Sequence, residues 1–308
     1  MTSTADAAAL IPDGWREWVG RLPPEGGPSG AAWAERLPRL LAEVVDGWRL
    51  TPTGRGMTGW TAVVVPVERD GERLVLKVGW PHHDSAGEPL ALRHWNGNGA
   101  VRLVAADPGR GALLLEALDP GRDLEGADVD IDTACELIGG LLARLHVPAP
   151  PPLRTLTDFA TEQVEKLRGA GERLPRRFVD RATHLAADLT REPDCNGTLL
   201  HTDLHFGNVL AGTREAWLAI DPSPMAGHPG LELQPVLRNR VAELGTGSTF
   251  RHQVRRRFDI VCEAAGIDAE AARAWTIWFS VVEANWASLD GNTNDVTLHL
   301  ALAKALDD

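Results

Sequence analysis

Lysine is scarce in this chain. Lys77, Lys166 and Lys304 are the only three lysines among 31 basic residues. Arginine and alanine dominate instead, which suggests a G+C-rich coding sequence, so a retained lysine is a mild clue that arginine would not serve there. Cysteine is equally sparse. Cys135, Cys195 and Cys262 lie far apart and follow no metal-ligand spacing, so a reduced, cytoplasmic protein fits best. No run approaches the roughly 18 apolar residues that would span a membrane. Residues 1–10 carry neither the basic cluster nor the long apolar run of a signal peptide. No internal repeat is present. Positive charge is in deficit, with a formal net charge of −12. That disfavours nucleic acid and anionic membranes as partners. It suits a cationic small molecule, although acidity also serves solubility alone.

What is there is ample for a globular fold: 308 residues, 44% of them hydrophobic, enough for one large core or two moderate ones. Residues 1–30 are rich in Gly, Pro and Ala and read as a loose lead-in. Helical spacing predicts an amphipathic helix over 31–45. A short strand is expected at 48–51, then strands at 61–67 and 74–78 joined by the turn signal Asp70-Gly71. A helix at 85–95 and strands at 101–105 and 112–118 follow. Beyond Asp119-Pro120-Gly121 the pattern turns helical, with helices expected at 132–146, 156–166 and 176–189, polar strand and loop segments at 199–210 and 216–220, and helices again after 231. The expected architecture is α+β and two-lobed. Residues 1–118 form a small β-rich lobe and 119–308 a larger, mainly helical one, with a cleft at the hinge.

Four sets of residues point to phosphoryl transfer. His201-Thr-Asp203-Leu-His-Phe-Gly-Asn208 matches the catalytic-loop pattern His-x-Asp-x-x-x-x-Asn. Asp203 would meet the attacking hydroxyl, and Asn208, one loop further on, would ligate a metal held by phosphates. Thirteen residues after Asn208, the apolar run 217–220 ends in Asp221, placed to supply a second magnesium ligand. Lys77 lies in mid-strand among aliphatic residues, where a lysine that does not snorkel outward can hold phosphates and pair with Glu88 of the next helix. Gly54-x-Gly56-x-x-Gly59 precedes a hairpin rather than a helix, as in a phosphate-covering loop and unlike a dinucleotide fold. Each has an ordinary alternative: a polar loop, a turn aspartate, a first-turn glutamate beside Pro89, a flexible glycine turn. Their order along the chain is what argues for a kinase.

At these residues the chain resembles the aminoglycoside phosphotransferases, more narrowly the streptomycin 6-kinase and hydroxyurea phosphotransferase branch. The likeness is carried by 76–81, 92–95, 144–154, 201–210 and 217–240, and spans 37–240. It implies a protein-kinase-like fold, ATP and Mg2+ as cofactors, and transfer of the γ-phosphoryl group to a hydroxyl of an antibiotic. Carried over by position, Asp203 is the catalytic aspartate, Asn208 and Asp221 are the magnesium ligands, and Lys77 is the phosphate lysine. The segment from Glu116 to Leu118 becomes the hinge whose backbone meets adenine. Two departures bear on the substrate. The family's Gly-Asp-Pro reads Gly227-His228-Pro229, and its following Asp-Leu reads Glu232-Leu233. The second carboxylate is expected to buttress the catalytic loop, with one extra methylene to absorb. Glu232, Glu283 and Asp290, with Asp295, are the acidic candidates for a cationic acceptor. Trp275, Trp278 and Trp286 could stack on a sugar ring, but their helical spacing favours the core. The acceptor is expected to be an aminoglycoside and the chain a monomer. A hydroxyurea-type or housekeeping metabolite kinase and a nucleotide-binding pseudokinase are the competing readings.

Overall fold

The computed structural model describes residues 2–25, 27–83 and 85–307. Two compact units divide the chain: Met1–Gly97 with Val101–Leu118, and Asn98–Ala100 with Asp119–Asp308.

The first unit opens with helices α1 (Thr4–Ala9), α2 (Trp15–Val19) and α3 (Gly30–Gly47). The lead-in is therefore not loose. Ala7, Ile11, Trp15 and Val19 recur every fourth residue and are all buried, as are Trp33, Leu37, Leu41 and Val45 at the same spacing in α3. Each set makes one apolar stripe, and both join a single core. Glycine and proline around the short helices hide this periodicity from a window-based reading.

Next come strands β1 (Thr51–Pro52), β2 (Met57–Thr58), β3 (Ala62–Arg69) and β4 (Glu72–Gly79), helix α4 (Glu88–Trp95), and strands β5 (Leu103–Asp107) and β6 (Ala112–Glu116). They form an antiparallel sheet in the order β1-β3-β4-β6-β5, with β2 also on β3. The β3–β4 hairpin turns through Asp70 (φ 54°) and Gly71 (φ 83°), the left-handed pair that a two-residue turn demands. Alternation then sorts the faces. Val63, Val65 and Val67 of β3 and Leu74, Leu76 and Val78 of β4 are buried in the core with α1–α3. Lys77, between Leu76 and Val78, projects from the other face.

The second unit begins with β7 (Asp119–Asp123), a polar strand across the stretch where the sequence marks only a boundary. Helices α5 (Ile131–Leu145), α6 (Leu156–Arg168) and α7 (Arg176–Leu189) follow, then the short strands β8 (Thr198–Leu200), β9 (Val209–Ala211), β10 (Trp217–Ala219) and β11 (Met225–Gly227). Helices α8 (Leu233–Leu237), α9 (Gly247–Ala265), α10 (Ala269–Leu289) and α11 (Thr293–Asp307) complete it. The strands pair antiparallel as β10-β9-β7 and β11-β8. Trp275 and Trp278 are buried edge to face, with ring centroids 5.4 Å apart, so they build the core rather than a stacking platform. Half-buried Trp286 donates its indole N–H to Gln163 at 3.0 Å. Among the described residues no helix is long and apolar enough to cross a membrane.

Candidate active site

In the first unit, Lys77 and Glu88 meet. Lys77 Nζ lies 2.7 Å from both carboxylate oxygens of Glu88, with side chains 13% and 4% exposed. Strand alternation turns the lysine toward α4, and Pro89 fixes the first turn that carries Glu88. A pair this buried is sensitive to shape as well as charge. Lys77→Arg keeps the charge but replaces a compact ammonium by a planar fork. It should weaken ATP binding by about tenfold, the loss of one charge-assisted hydrogen bond. Calorimetric titration with ATP checks this, and unchanged affinity and turnover would remove Lys77 from the site.

The glycine loop is held by bonds within the first unit. None of Gly54, Gly56 and Gly59 has a left-handed φ. Gly56 donates its N–H to the Leu10 carbonyl at 2.9 Å, and a Cβ there would lie 2.4 Å from that oxygen. Gly59 donates to the Ala62 carbonyl at 2.9 Å. Both amides are engaged within the chain. Gly56 is a glycine because Leu10 approaches so closely. Gly54 lies against Pro66, and a Cβ at Gly54 would stand 3.2 Å from the proline ring. The backbone N–H of Glu116 is engaged as well. Its N–H donates to the Arg102 carbonyl at 3.0 Å, and its Oε1 accepts the Arg102 N–H at 2.7 Å. It ties off β6, so a backbone contact of Glu116 with adenine would come from its carbonyl rather than its amide.

In the second unit the loop between β8 and β9 is held from behind by Glu232. That carboxylate is fully buried and accepts the backbone N–H groups of His201 at 2.5 Å and Thr202 at 2.9 Å. With both oxygens so engaged, Glu232 does not belong to a substrate wall, and the substrate expectation for it is corrected. Its longer side chain does the buttressing. Thr202 sits at φ 61°, an unfavourable conformation for a β-branched residue that persists only where its surroundings enforce it. Its hydroxyl donates to the Ser223 carbonyl at 2.5 Å. The adjoining departure has a similar explanation. His228 Nδ1 accepts the Gly230 N–H at 3.0 Å and caps the 3-10 turn Pro229–Glu232, the capping that a short carboxylate also performs.

Asp203, next to this strained residue, has both oxygens engaged. Asn208 Nδ2 donates to the Asp203 carbonyl at 2.9 Å and to Oδ2 at 3.2 Å. Arg238 Nη2 donates to Oδ1 at 2.5 Å. His201 links the loop to the next strand through Nε2 and the Ile220 carbonyl, 3.0 Å apart. Burial lowers the His201 pKa and so keeps the ring neutral. The Ile220 N–H in turn donates to the Asn208 carbonyl at 2.9 Å. Asn208 and the neighbour of Asp221 are thus joined through the backbone, and Asp221 itself is exposed and left-handed, at φ 56°.

Arg238 was not singled out by the sequence. It caps α8, and nothing in its local pattern distinguishes it from a solvated arginine. A second arginine fixes its turn. Fully buried Arg257 of α9 donates to the carbonyls of Asn239 at 2.9 Å and Arg240 at 3.1 Å. Near this group lies Glu283 of α10, only 17% exposed. Burial pushes its pKa up to about 6, with the charge of Arg238 opposing and those of Asp203 and Asp295 adding to the rise. His299 Nε2 is 3.9 Å from Glu283 Oε2, and burial holds that imidazole down at about 4. Asp290 is not part of the group. It caps the exposed end of α10, seven residues and so about 10 Å of helix beyond Glu283.

Among the described residues no three His, Cys, Asp or Glu side chains gather as a metal cluster. Magnesium does not require one. It is commonly held by one or two protein oxygens together with substrate phosphates. Asn208 and Asp221 fit that role. The amide nitrogen of Asn208 is fixed toward Asp203, which turns its carbonyl oxygen away, and Asp221 offers a second hard oxygen donor from the adjoining strand end.

A protein-kinase-like fold of the small-molecule kinase type is what these units define. A solved structure of a thermostable mutant of aminoglycoside phosphotransferase APH(4)-Ia, in complex with ADP and hygromycin B, superposes with a TM-score of 0.57 at 15% identity, covering 85% of this chain and 96% of that one. The family is defined by sequence. Residues 47–291 match the model of the aminoglycoside/hydroxyurea antibiotic resistance kinases, and the chain belongs to that family. A streptomycin 6-kinase of Streptomyces glaucescens is 41% identical over 91% of this chain and 92% of its own length. A hydroxyurea phosphotransferase of Kitasatospora aureofaciens is 44% identical over 91% of this chain and 82% of its own.

Proposed function

We propose that the chain transfers the γ-phosphoryl group of Mg-ATP to a hydroxyl of a streptomycin-like aminoglycoside in the cytoplasm. Asp203 carries this reading, a carboxylate fixed by Asn208 and Arg238 on a loop locked by Glu232. Mg-ATP, when bound, supplies the transferable phosphoryl group and neutralises part of its charge. Asp203 orients the acceptor hydroxyl and takes its proton. Asn208 and Asp221 hold the metal, and Lys77, oriented by Glu88, holds the α- and β-phosphates. The first unit serves as the nucleotide lobe and the second as the catalytic and substrate lobe. The three cysteines are free and buried, which suits a reducing compartment.

Glu283 supports a cationic acceptor. It is a largely buried carboxylate under the field of Asp203, and its charged form is disfavoured in the fold. The sign of that cost is definite. With the pKa raised from 4.5 to about 6, the folded protein holds a proton in this window that the unfolded chain has released. Stability therefore falls as pH rises through the window, and the full cost is present at pH 7. Glu283→Gln should raise stability at pH 7 by about 2 kcal/mol, at roughly 1.4 kcal/mol per pKa unit, and flatten the slope between pH 4.5 and 6. The same variant should weaken streptomycin binding severalfold and leave hydroxyurea binding unchanged. Calorimetry with both compounds at low and high salt, followed by phosphate transfer to each, tests the substrate. Streptomycin binding should weaken with salt, because charge pairs are screened over about 10 Å at 0.1 M. The kinases of this family include a hydroxyurea phosphotransferase relative at 44% identity, so hydroxyurea is the second reading. Transfer to hydroxyurea with no binding or transfer to streptomycin would establish it in place of the first.

A further inference from the structure

Helices α1 and α2 meet the glycine loop at the level of its backbone. Besides the bond from Gly56 to the Leu10 carbonyl at 2.9 Å, Trp15 Nε1 donates to the Gly59 carbonyl at 3.2 Å. Arg55 Nη2 lies 3.3 Å from the Asp13 carboxylate. Trp60, at the tip and 73% exposed, sits edge-on to Trp18 with ring centroids 4.4 Å apart. The contacts thus reach the loop at four successive places, from Arg55 to Trp60. The loop's own support is slight, since β2 is two residues long and pairs through Met57 and Thr58, with further backbone bonds from Gly59 to Ala62 and from Trp80 to Thr61. Three glycines in six residues leave such a segment many conformations. The leading helices, by contrast, are rooted in the core through Ala7, Ile11, Trp15 and Val19.

We propose that the α1–α2 segment is a strut that holds the loop of residues 54–61 in its nucleotide-binding shape before nucleotide arrives, with Trp15 as a positioning residue. The proposal rests on the reading of this loop as the phosphate cover. Its physical basis is preorganisation, because a loop ordered in advance has less conformational freedom to lose on binding. The amides of Gly56 and Gly59 are engaged by the chain itself, so cover comes from the held hairpin tip as a body rather than from those two donors. The strut lies wholly outside the family-matched residues 47–291.

The test uses the full-length protein and two substitutions in one core. Trp15→Phe removes the indole donor and keeps an aromatic ring in place. Trp33→Phe alters the ring that packs edge-on to Trp15 at 5.8 Å and removes no bond to the loop. Hydrogen exchange of amides 55–61 is measured without nucleotide, and the Kd of a non-hydrolysable ATP analogue with magnesium is measured by calorimetry. Trp15→Phe should speed exchange in the loop and raise the Kd by about fivefold, the size of one hydrogen bond, with acceptor affinity unchanged. Trp33→Phe should lower Tm and change neither loop exchange nor Kd. If Trp15→Phe proves too unstable, Gly56→Ala serves, since its Cβ would drive Leu10 off the loop. Unchanged exchange in these variants overturns the strut. Faster exchange with an unchanged Kd overturns its link to nucleotide and places the fault in the phosphate-cover reading. Absence of analogue binding by the wild-type protein defeats the kinase reading itself, and the proposal with it.

Discussion

Replacing Asp203 with asparagine should leave a folded protein that still binds Mg-ATP, yet lower turnover at least about a hundredfold, the usual range for a lost general base. Thr202 is held left-handed, and Glu232 grips the two backbone amides just before Asp203, so the loop keeps its course whatever side chain stands at 203. Asn208 and Arg238 then fix the carboxylate oxygens. An asparagine keeps only one accepting oxygen for these two donors, so one contact is lost while the backbone-held loop stays, and it cannot take the hydroxyl proton. Phosphate transfer to streptomycin and hydroxyurea, alongside ATP titration of both proteins, checks this. A variant with near wild-type turnover would end the assignment, and a variant that failed to bind ATP would show Asp203 acting through nucleotide binding instead.

Asp221→Ala should abolish the part of nucleotide affinity that depends on magnesium. Asn208 and Ile220 are bonded through the backbone, so the two proposed ligands come from adjoining segments, and alanine removes the only charged one. ADP binding would be titrated with and without magnesium in the wild type and the variant. The wild type should bind far more tightly with the metal, and the variant should bind equally in both conditions. A retained magnesium effect would move the metal elsewhere. The fold should tolerate the change, because Asp221 is exposed, although alanine at φ 56° is itself strained.

Much of this is legible in the sequence, and the limits have physical reasons. The β3–β4 hairpin is readable because alternation and an Asp-Gly turn are both local signals. Lys77 and Glu88 are readable because strand period and helix start set their directions. The lead-in misleads because its stripe runs across two helices too short to show a helical pattern alone. Strand β7 escapes because Asp-Pro-Gly-Arg-Asp has no strand propensity, and only pairing with β9 makes it one. Gly56 looks like a phosphate glycine, but its reason is the carbonyl of Leu10, a residue remote in sequence that no local pattern links to it. Arg238 and Arg257 are invisible for the same cause, since long-range partners decide which of many arginines matter. Glu232 is readable as a buttress through the family pattern, whereas its unsuitability for substrate follows from its burial and from the two amides its oxygens accept.

The position of α3 also bears on how this protein can be cut. A fragment trimmed to the family-matched residues 47–291 would discard Leu37, Leu41 and Val45, which are buried with the inner faces of β3 and β4. It would also discard α11, with Leu302 and Leu306 buried. Burying one such side chain contributes about 1.5–3 kcal/mol, and whole domains are stable by only about 5–15 kcal/mol. Five losses of this size would consume that margin, and the bared sheet face would invite aggregation. The span matched by the family model is thus smaller than the span the core requires, and useful truncations must be drawn from the core outward.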